Sequence, residues 1–289
     1  MKKLIVLSLC LLFFVGCSNA SAKVSNGSES IVSVGGKKVT KQQVYEILRD
    51  QDSGETVLNI IINAITAKEV TLTSEIEAEA KAELAAAKKE MAEDYDYFLE
   101  YYGYDSDEVY YEKEILPAVL YSYLPDSYIE ENWDKVMEYY YPTTARIIET
   151  ASADAANAAK AEIQDGKSFA TVAKKYTTKS KDLYDGSEQV YSRNDSDTLP
   201  TFVNEFIRTA TGPTLSGVIS NDAADKFYIV QVIEKNTAQY TEKAIAAIKE
   251  SADLENDMMA YYCKKYELKI YDIDLYNIFK DYYPTYLQH

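Results

Sequence analysis

Apolar residues recur every three or four positions along most of the chain, which is the spacing of one face of an α-helix. The longest such stretch predicts a single helix from Ser74 to Tyr102. The stretch from Glu55 to Ala67 is apolar on nearly all sides, so it predicts the most buried helix of the protein. Further helices are predicted at 125–141 and 241–266.

Between these helical stretches, residues 144–236 follow a different pattern. It predicts, in order, a strand at 145–150, helices at 152–165 and 169–176, a polar loop at 177–197, a helix at 200–209, and strands at 217–220 and 226–233. Helices packed on a small antiparallel sheet form an α+β fold. The whole chain is therefore predicted to be α+β and mainly helical.

The order of these elements resembles the parvulin domain, a peptidyl-prolyl isomerase (rotamase) fold. The motifs that carry the resemblance are Ala145-Arg146-x-Ile148, Asp165-Gly166-x-x-Phe169-Ala170-x-Val172-Ala173-Lys174-x-Tyr176-Thr177, Pro200-x-Phe202-x-x-x-Phe206, Gly217-Val218-Ile219-Ser220 and Tyr228-Ile229-Val230-Gln231-Val232. The resemblance implies an isomerase site on the small sheet.

The residues at the catalytic positions do not match the family. By the resemblance, the two histidine positions fall on Ile147 and Tyr228, and the cysteine or aspartate position falls on Lys179. Phe202 fits as a candidate for the proline pocket, with an ordinary core role as the alternative. The chain's single histidine is His289 at the C-terminus. We therefore predict weak or absent catalysis, with Tyr228 contributing packing.

The first residues have the pattern of a bacterial lipoprotein signal. Met1-Lys2-Lys3 is basic, and the apolar run Leu4–Val15 is shorter than the roughly 20 residues that span a bilayer. The run ends at Phe14-Val15-Gly16-Cys17, which resembles a lipobox. We expect a signal peptide at 1–16, acylation of Cys17 (palmitate or a similar chain) and a flexible tether from there to residue 30. The protein would then be extracytoplasmic and anchored to the cell membrane.

Composition narrows the classes of function. The 289 residues include 47 acidic and 30 basic side chains, a net charge of −17, which argues against binding nucleic acid. Besides Cys10 in the signal and the acylated Cys17, only Cys263 remains, so no intramolecular disulfide is expected. The sequence has no Cys/His cluster and no glycine-rich phosphate loop, so neither a metal nor a cofactor is expected.

Both ends of the mature chain carry short strand patterns. The pair Gly35-Gly36 lies between apolar stretches at 31–34 and 37–39, which predicts a tight hairpin. A strand candidate at 267–271 precedes a helix that starts at Asp272. Each strand candidate needs a partner, so we predict that Leu268–Tyr271 pairs with Ile31–Val34 and joins the two ends of the chain in one domain.

This layout resembles the PrsA-type foldase lipoproteins and, more distantly, the SurA-type periplasmic chaperones. Besides the lipobox, the resemblance rests on Val34-Gly35-Gly36-Lys37-Lys38-Val39-Thr40, Val57-Leu58-Asn59-Ile60-Ile61-Ile62 and Lys265-Tyr266-Glu267-Leu268-Lys269-Ile270-Tyr271-Asp272-Ile273-Asp274-Leu275. It implies a helical foldase domain formed by residues 31–143 and 237–289, with a parvulin-like domain, 144–236, inserted between them. It also implies that unfolded or newly secreted proteins are clients of the helical domain.

Tyrosine is concentrated in one part of the chain, with thirteen of the 27 tyrosines between Tyr95 and Tyr141. Adjacent helical residues point about 100° apart, so runs of tyrosine cannot all face one core. A tyrosine ring has an apolar face and a polar tip, which suits contact with unfolded chains. The candidates for a client surface are Tyr101, Tyr102, Tyr110, Tyr111, Tyr139 and Tyr140. Ordinary packing is the alternative for these rings.

Three functions remain open from the sequence. The first is a membrane-tethered foldase or chaperone whose parvulin-like domain is weak or inactive. The second is an active isomerase with an unusual site. The third is a surface lipoprotein that binds one specific partner, and a homodimer is also open.

Overall fold

The computed structural model describes residues 22–52, 54–177, 185–193, 199–221 and 225–287. The chain divides into two compact units. The smaller unit includes the described residues up to Ile62 and those from Met259 onward, and the larger unit runs from Asn63 to Met258. The smaller unit therefore contains residues from both ends of the chain.

The described residues form mainly helices. The α-helices are α1 Lys41–Gln51, α2 Glu55–Glu69, α3 Ser74–Met91, α4 Tyr95–Tyr102, α5 Asp107–Tyr110, α6 Leu116–Ser122, α7 Leu124–Glu131, α8 Trp133–Tyr140, α9 Ala153–Gln164, α10 Phe169–Tyr176, α11 Thr201–Thr209, α12 Thr241–Lys249, α13 Leu254–Lys265 and α14 Ile273–Tyr282. The strands are β1 Ser30–Val34, β2 Lys37–Thr40, β3 Thr143–Thr150, β4 Gln189–Tyr191, β5 Thr214–Leu215, β6 Ile219–Ser220 and β7 Phe227–Glu234.

In the smaller unit, β1 and β2 form the antiparallel hairpin that the glycine pair predicts. Gly35 and Gly36 have φ angles of 55° and 80°, a left-handed conformation that glycine adopts without steric cost. Thr40 then caps α1, because its side chain accepts a hydrogen bond from the N–H of Gln43. The predicted pairing of residues 268–271 with β1 is wrong, because β1 pairs with β2 and residues 268–271 are not a strand.

The two ends of the chain meet in the smaller unit through side chains. The carboxylate of Asp272, which caps α14, also accepts a hydrogen bond from the backbone N–H of Ala22. On α1, Arg49 donates to the carboxylate of Asp274 at 2.8 Å. Glu267 has a φ of 51°, so the chain turns at the start of the predicted strand instead of extending.

Three helices that were predicted as continuous are divided. The predicted helix 74–102 breaks at Ala92, whose φ of 47° separates α3 from α4. Residue Asn132 separates α7 from α8, and residues 250–253 separate α12 from α13. The apolar spacing continues across each break because the helices on both sides of it have buried apolar residues.

Helix α2 is not the most buried helix, contrary to the prediction. Only Ile65 and Thr66 are buried along it, and Ile60 is 62% exposed. Apolar residues around the whole circumference of a helix favour its burial. They do not ensure it, because burial also depends on which elements pack against the helix.

The larger unit contains a five-stranded antiparallel sheet in the order β4-β3-β7-β5, with β6 also paired to β7. Side chains alternate between its faces. On one face, Ile147 and Tyr228 pack in a core cluster with residues of α11. On the other face, Ile148 and Ile229 pack with residues of α9 and α10. This arrangement of helices on a small sheet confirms the α+β prediction.

The predicted order of helices and strands between residues 143 and 234 is confirmed, with two additions. Strand β4 lies within the stretch predicted as a polar loop, and β5 lies just before the predicted strand at 217–220. These strands have three and two residues, too few to show the alternation that identifies a strand.

Candidate functional site

The candidate site is the face of the sheet that packs against α11. The two positions that the resemblance equates with histidines, Ile147 on β3 and Tyr228 on β7, both lie on this face and are buried. Because isoleucine has no polar side-chain atom, Ile147 contributes only apolar contact. The third family position, Lys179, lies outside the described residues.

Tyr228 carries a buried polar contact that the sequence did not predict. Its hydroxyl donates a hydrogen bond of 2.9 Å to Oε2 of Glu149, and both side chains are buried. Glu149 lies directly opposite Tyr228 in the register of β3 and β7. The prediction that Tyr228 contributes packing alone is therefore incomplete. The available signal was the position of Glu149, which follows Ala145 and Ile147 at alternate positions and so lies on the same face of β3.

Phe202, the proline-pocket candidate, lies on α11 and is half-buried. Its ring centroid lies 5.6 Å from that of Tyr228, a tilted aromatic contact on the core cluster. One part of the ring therefore belongs to the core, as the alternative interpretation holds. The exposed remainder is an apolar surface beside Tyr228 on which a proline ring could pack.

The C-terminal end of α11 is held by Lys235, which follows β7. Its Nζ donates to the carbonyl oxygens of Ile207, Arg208 and Ala210 at 3.2, 2.9 and 2.7 Å. Carbonyls at a helix C-terminus lack helical partners, so a cation there satisfies them and complements the helix dipole. Burial, together with the nearby charge of Arg208, holds the pKa of Lys235 below its ordinary value.

The middle of α11 is held by Asn204, whose side chain is buried. Its Oδ1 accepts from the hydroxyl of Tyr141 at 3.2 Å, and its Nδ2 donates to the carbonyl of Arg193 at 3.2 Å. With Lys235, these contacts fix α11 and its Phe202 against the sheet.

The chemistry available on this face is limited. The proton of Tyr228 is engaged by Glu149, so the phenol does not stand ready to donate to a substrate carbonyl. The sequence supplies no second histidine, and His289 lies outside the described residues. The face offers apolar and aromatic contact and a satisfied polar pair, without a free imidazole.

The tyrosines proposed as a client surface divide into two groups. Tyr101, Tyr102 and Tyr139 are exposed, at 68%, 62% and 40% of their surface. Tyr110 and Tyr140 are buried, at 9% and 1%, so the prediction that they form part of an exposed surface is wrong. Tyr111 is half-buried.

Packing and hydrogen bonding accompany the burial of Tyr110 and Tyr140. The ring of Tyr110 packs edge-on against Phe98, with 5.3 Å between centroids, inside the cluster formed around α4. The hydroxyl of Tyr140 donates to Asp257 at 2.7 Å. One face of the exposed Tyr139 is covered by the guanidinium of Arg193, which lies 4.0 Å from the ring centroid.

Sequence reasoning also missed Tyr97, which is 67% exposed on α4. Its ring lies 6.0 Å from that of Tyr101, one helical turn away, and the ring of Tyr102 adjoins Tyr101 at 5.0 Å. The α4 tyrosine patch, defined as Tyr97, Tyr101 and Tyr102, is therefore a continuous aromatic surface. The i, i+4 spacing of Tyr97 and Tyr101 was the signal for it.

The described ranges of the chain lack the features of a metal site and of a membrane-spanning helix. Within those ranges, no group of three or more His, Cys, Asp or Glu side chains is placed to hold a metal ion. None of the helices that the structure describes is long and apolar enough to cross a membrane. Cys17 lies outside the described residues.

The elements and the site define a mainly helical α+β protein with a small antiparallel sheet and an apolar, aromatic site. No family model matches the sequence. The chain is 22% identical over 303 residues to foldase protein PrsA 1 of Lactobacillus johnsonii, covering 94% of both chains. This similarity confirms the resemblance to PrsA-type foldases that the motifs predict.

Solved structures of PrsA proteins from other organisms are also similar to this chain. The crystal structure of the peptidylprolyl isomerase PrsA from Bacillus cereus is 16% identical and matches 89% of this chain and 99% of its own, with a TM-score of 0.48. Foldase protein PrsA from Streptococcus pneumoniae is 22% identical and matches 88% and 100%, with a TM-score of 0.38.

Proposed function

We propose that this chain is an extracytoplasmic foldase that assists the folding of secreted proteins. The similarity to a protein named as a foldase, across 94% of both chains, supports this role. In this proposal, residues 31–143 and 237–289 form the client-binding helical domain, and residues 144–236 form an inserted parvulin-like domain.

The parvulin-like domain holds proline-containing segments and accelerates their isomerisation weakly or not at all. The observation that carries this point is the Tyr228–Glu149 hydrogen bond, with Ile147 on the neighbouring strand. Isomerisation must cross a barrier of about 20 kcal/mol. The phenol of Tyr228 is already hydrogen-bonded and the site has no free imidazole. It can therefore stabilise the twisted amide of the transition state only by apolar contact from Phe202.

An isomerase assay on the full chain with a proline-containing peptide tests this proposal, with an active parvulin as the positive control. We expect a rate close to that of the uncatalysed reaction. Strong acceleration would instead favour the active isomerase with an unusual site.

The α4 tyrosine patch is proposed as a surface that contacts unfolded clients. Replacing Tyr97, Tyr101 and Tyr102 by serine should weaken the suppression of aggregation of a denatured client. The matched control is Tyr139→Ser, because one face of that ring is already covered by Arg193. Equal suppression by both variants and the unaltered chain would remove the patch from the proposal.

Anchoring through an acylated Cys17 completes the proposal. The motif Phe14-Val15-Gly16-Cys17 at the end of an apolar run supports it. The Cys17→Ser variant should appear in the culture medium instead of the membrane fraction. Recovery of one partner only, instead of many unfolded clients, would favour the third alternative, a lipoprotein with a specific partner.

A further inference from the structure

A pocket of about 420 Å³ opens in the larger unit between α7, α8 and α12. This volume is within the range of ligand sites. The residues that line it are Asp126, Ile129, Glu130, Trp133 and Ile245. The parvulin-like face and the α4 tyrosine patch include none of these residues, so the pocket is a separate feature.

The pocket combines an apolar interior with an acidic rim. Ile129 is buried, and Trp133 and Ile245 pack half-buried against the same core cluster. Two carboxylates line the opening. Asp126 is paired with Lys249 at 2.9 Å, whereas Glu130 is exposed and forms no ion pair with any described residue. Among the described residues, the carboxylate of Glu130 therefore has no cation paired with it.

We propose that this pocket binds apolar segments of unfolded proteins that carry lysine or arginine. The aliphatic part of such a segment packs on the half-buried side chain of Ile245, which Ile129 supports from the core. Its cation lies between the carboxylate of Glu130 and the face of Trp133, because aromatic faces attract cations. The net charge of −17 also favours basic partners over acidic ones. The proposal rests on the proposed foldase role and specifies the chemistry of the client.

The chain provides its own probe, because Trp133 is its only tryptophan. Emission from Trp133 in the full chain is titrated with a short peptide of alternating leucine and lysine. Two comparison peptides replace lysine by glutamate or leucine by serine. We expect a saturable change with the leucine–lysine peptide and binding at least about tenfold weaker with either comparison peptide.

Two matched variants test whether the carboxylate of Glu130 contributes to peptide binding. Glu130→Gln should weaken binding of the leucine–lysine peptide by about three- to tenfold. Glu138→Gln, an exposed position on the same α8 as Trp133, should leave binding unchanged. Both substitutions keep the side-chain shape and lie on exposed positions, and circular dichroism checks that both variants fold.

The proposal is overturned if the leucine–lysine peptide leaves Trp133 emission unchanged, if the glutamate peptide binds as tightly, or if Glu130→Gln behaves like Glu138→Gln. Suppression of client aggregation is measured in parallel with the unaltered chain. If the chain suppresses client aggregation but does not bind the peptide, the pocket proposal is refuted and the foldase role is retained. Absence of suppression refutes the foldase role itself.

Discussion

The guanidinium of Arg49 donates a hydrogen bond of 2.8 Å to the carboxylate of Asp274, which lies 225 residues later in the chain. The arginine side chain is only 12% exposed, and the aspartate side chain is 37% exposed. The contact joins α1 to the first turn of α14 within the smaller unit. It therefore links the N-terminal and C-terminal segments in place of the strand pairing predicted from the sequence.

Replacing Arg49 by methionine should lower the free energy of unfolding by about 1–2 kcal/mol, because the aliphatic stem stays but the charge-assisted hydrogen bond is lost. Urea unfolding followed by circular dichroism measures the change. As a control, Lys81→Met removes the exposed pair with Glu77 and should leave the stability nearly unchanged. A loss no larger for Arg49→Met than for the control would contradict the assigned role.

The Tyr228→Phe variant should lower the free energy of unfolding by about 1–3 kcal/mol, since it leaves the carboxylate of Glu149 buried without its donor. The double variant Tyr228→Phe/Glu149→Leu should recover part of that loss, because the buried carboxylate is removed together with its donor. Urea unfolding of the single and double variants tests this. If the double variant were less stable than Tyr228→Phe, the pair would not behave as a buried hydrogen bond.

Lys235→Met should destabilise the protein by about 1–2 kcal/mol, because three carbonyls at the end of α11 lose their shared donor. The effect should include faster hydrogen exchange of amides in α11. Lys226→Met provides the comparison, since Lys226 is exposed just before β7. Equal stability of the two variants would show that Lys235 does not hold α11.

Alkaline pH should destabilise the fold through two half-buried phenols, Tyr104 and Tyr240. Burial, aided by Glu114, raises the pKa of Tyr104 to about 12, and burial raises the pKa of Tyr240 to about 12. An unfolded tyrosine ionises near pH 10. Between about pH 10 and 12 the unfolded chain loses protons that the folded chain keeps, so stability falls as pH rises.

Urea unfolding at stepped pH measures this slope, and Tyr240→Phe should reduce it. Phenolate absorbance on the folded protein should show a fraction of tyrosines that resist ionisation at pH 10. Constant stability between about pH 10 and 12 would exclude the effect.

Local interactions made much of the fold predictable from the sequence. The hairpin depends on Gly35-Gly36, and the start of α14 depends on Asp272, whose carboxylate accepts from the N–H of Leu275. Between residues 143 and 234, the helices and the longer strands follow from apolar spacing within each segment, whereas the short strands β4 and β5 do not. In each case the determining residues are within a few positions of one another.

Long-range contacts were not predictable in the same way. The Tyr228–Glu149 pair depends on the register of strands whose partners are 79 residues apart. Ala92 breaks a helix although alanine is the strongest helix former, so nothing in the local sequence marks the break. Likewise, Tyr140 is buried in a cluster with Ile248 on α12 and Leu254 on α13, and its hydroxyl bonds to Asp257, all far later in the chain.

The repeated pairing of phenol and carboxylate affects how the protein responds to salt. Hydrogen bonds from Tyr104 to Glu114, Tyr140 to Asp257 and Tyr228 to Glu149 each join a neutral donor to an acid. Ions in solution screen attraction between opposite charges, but a neutral donor offers no charge to screen. An acidic chain stabilised in this way keeps these hydrogen bonds when ionic strength rises. At the same time, the repulsion among its excess carboxylates becomes weaker. These three contacts should therefore depend less on ionic strength than the exposed ion pairs of the same chain, such as Lys81 with Glu77.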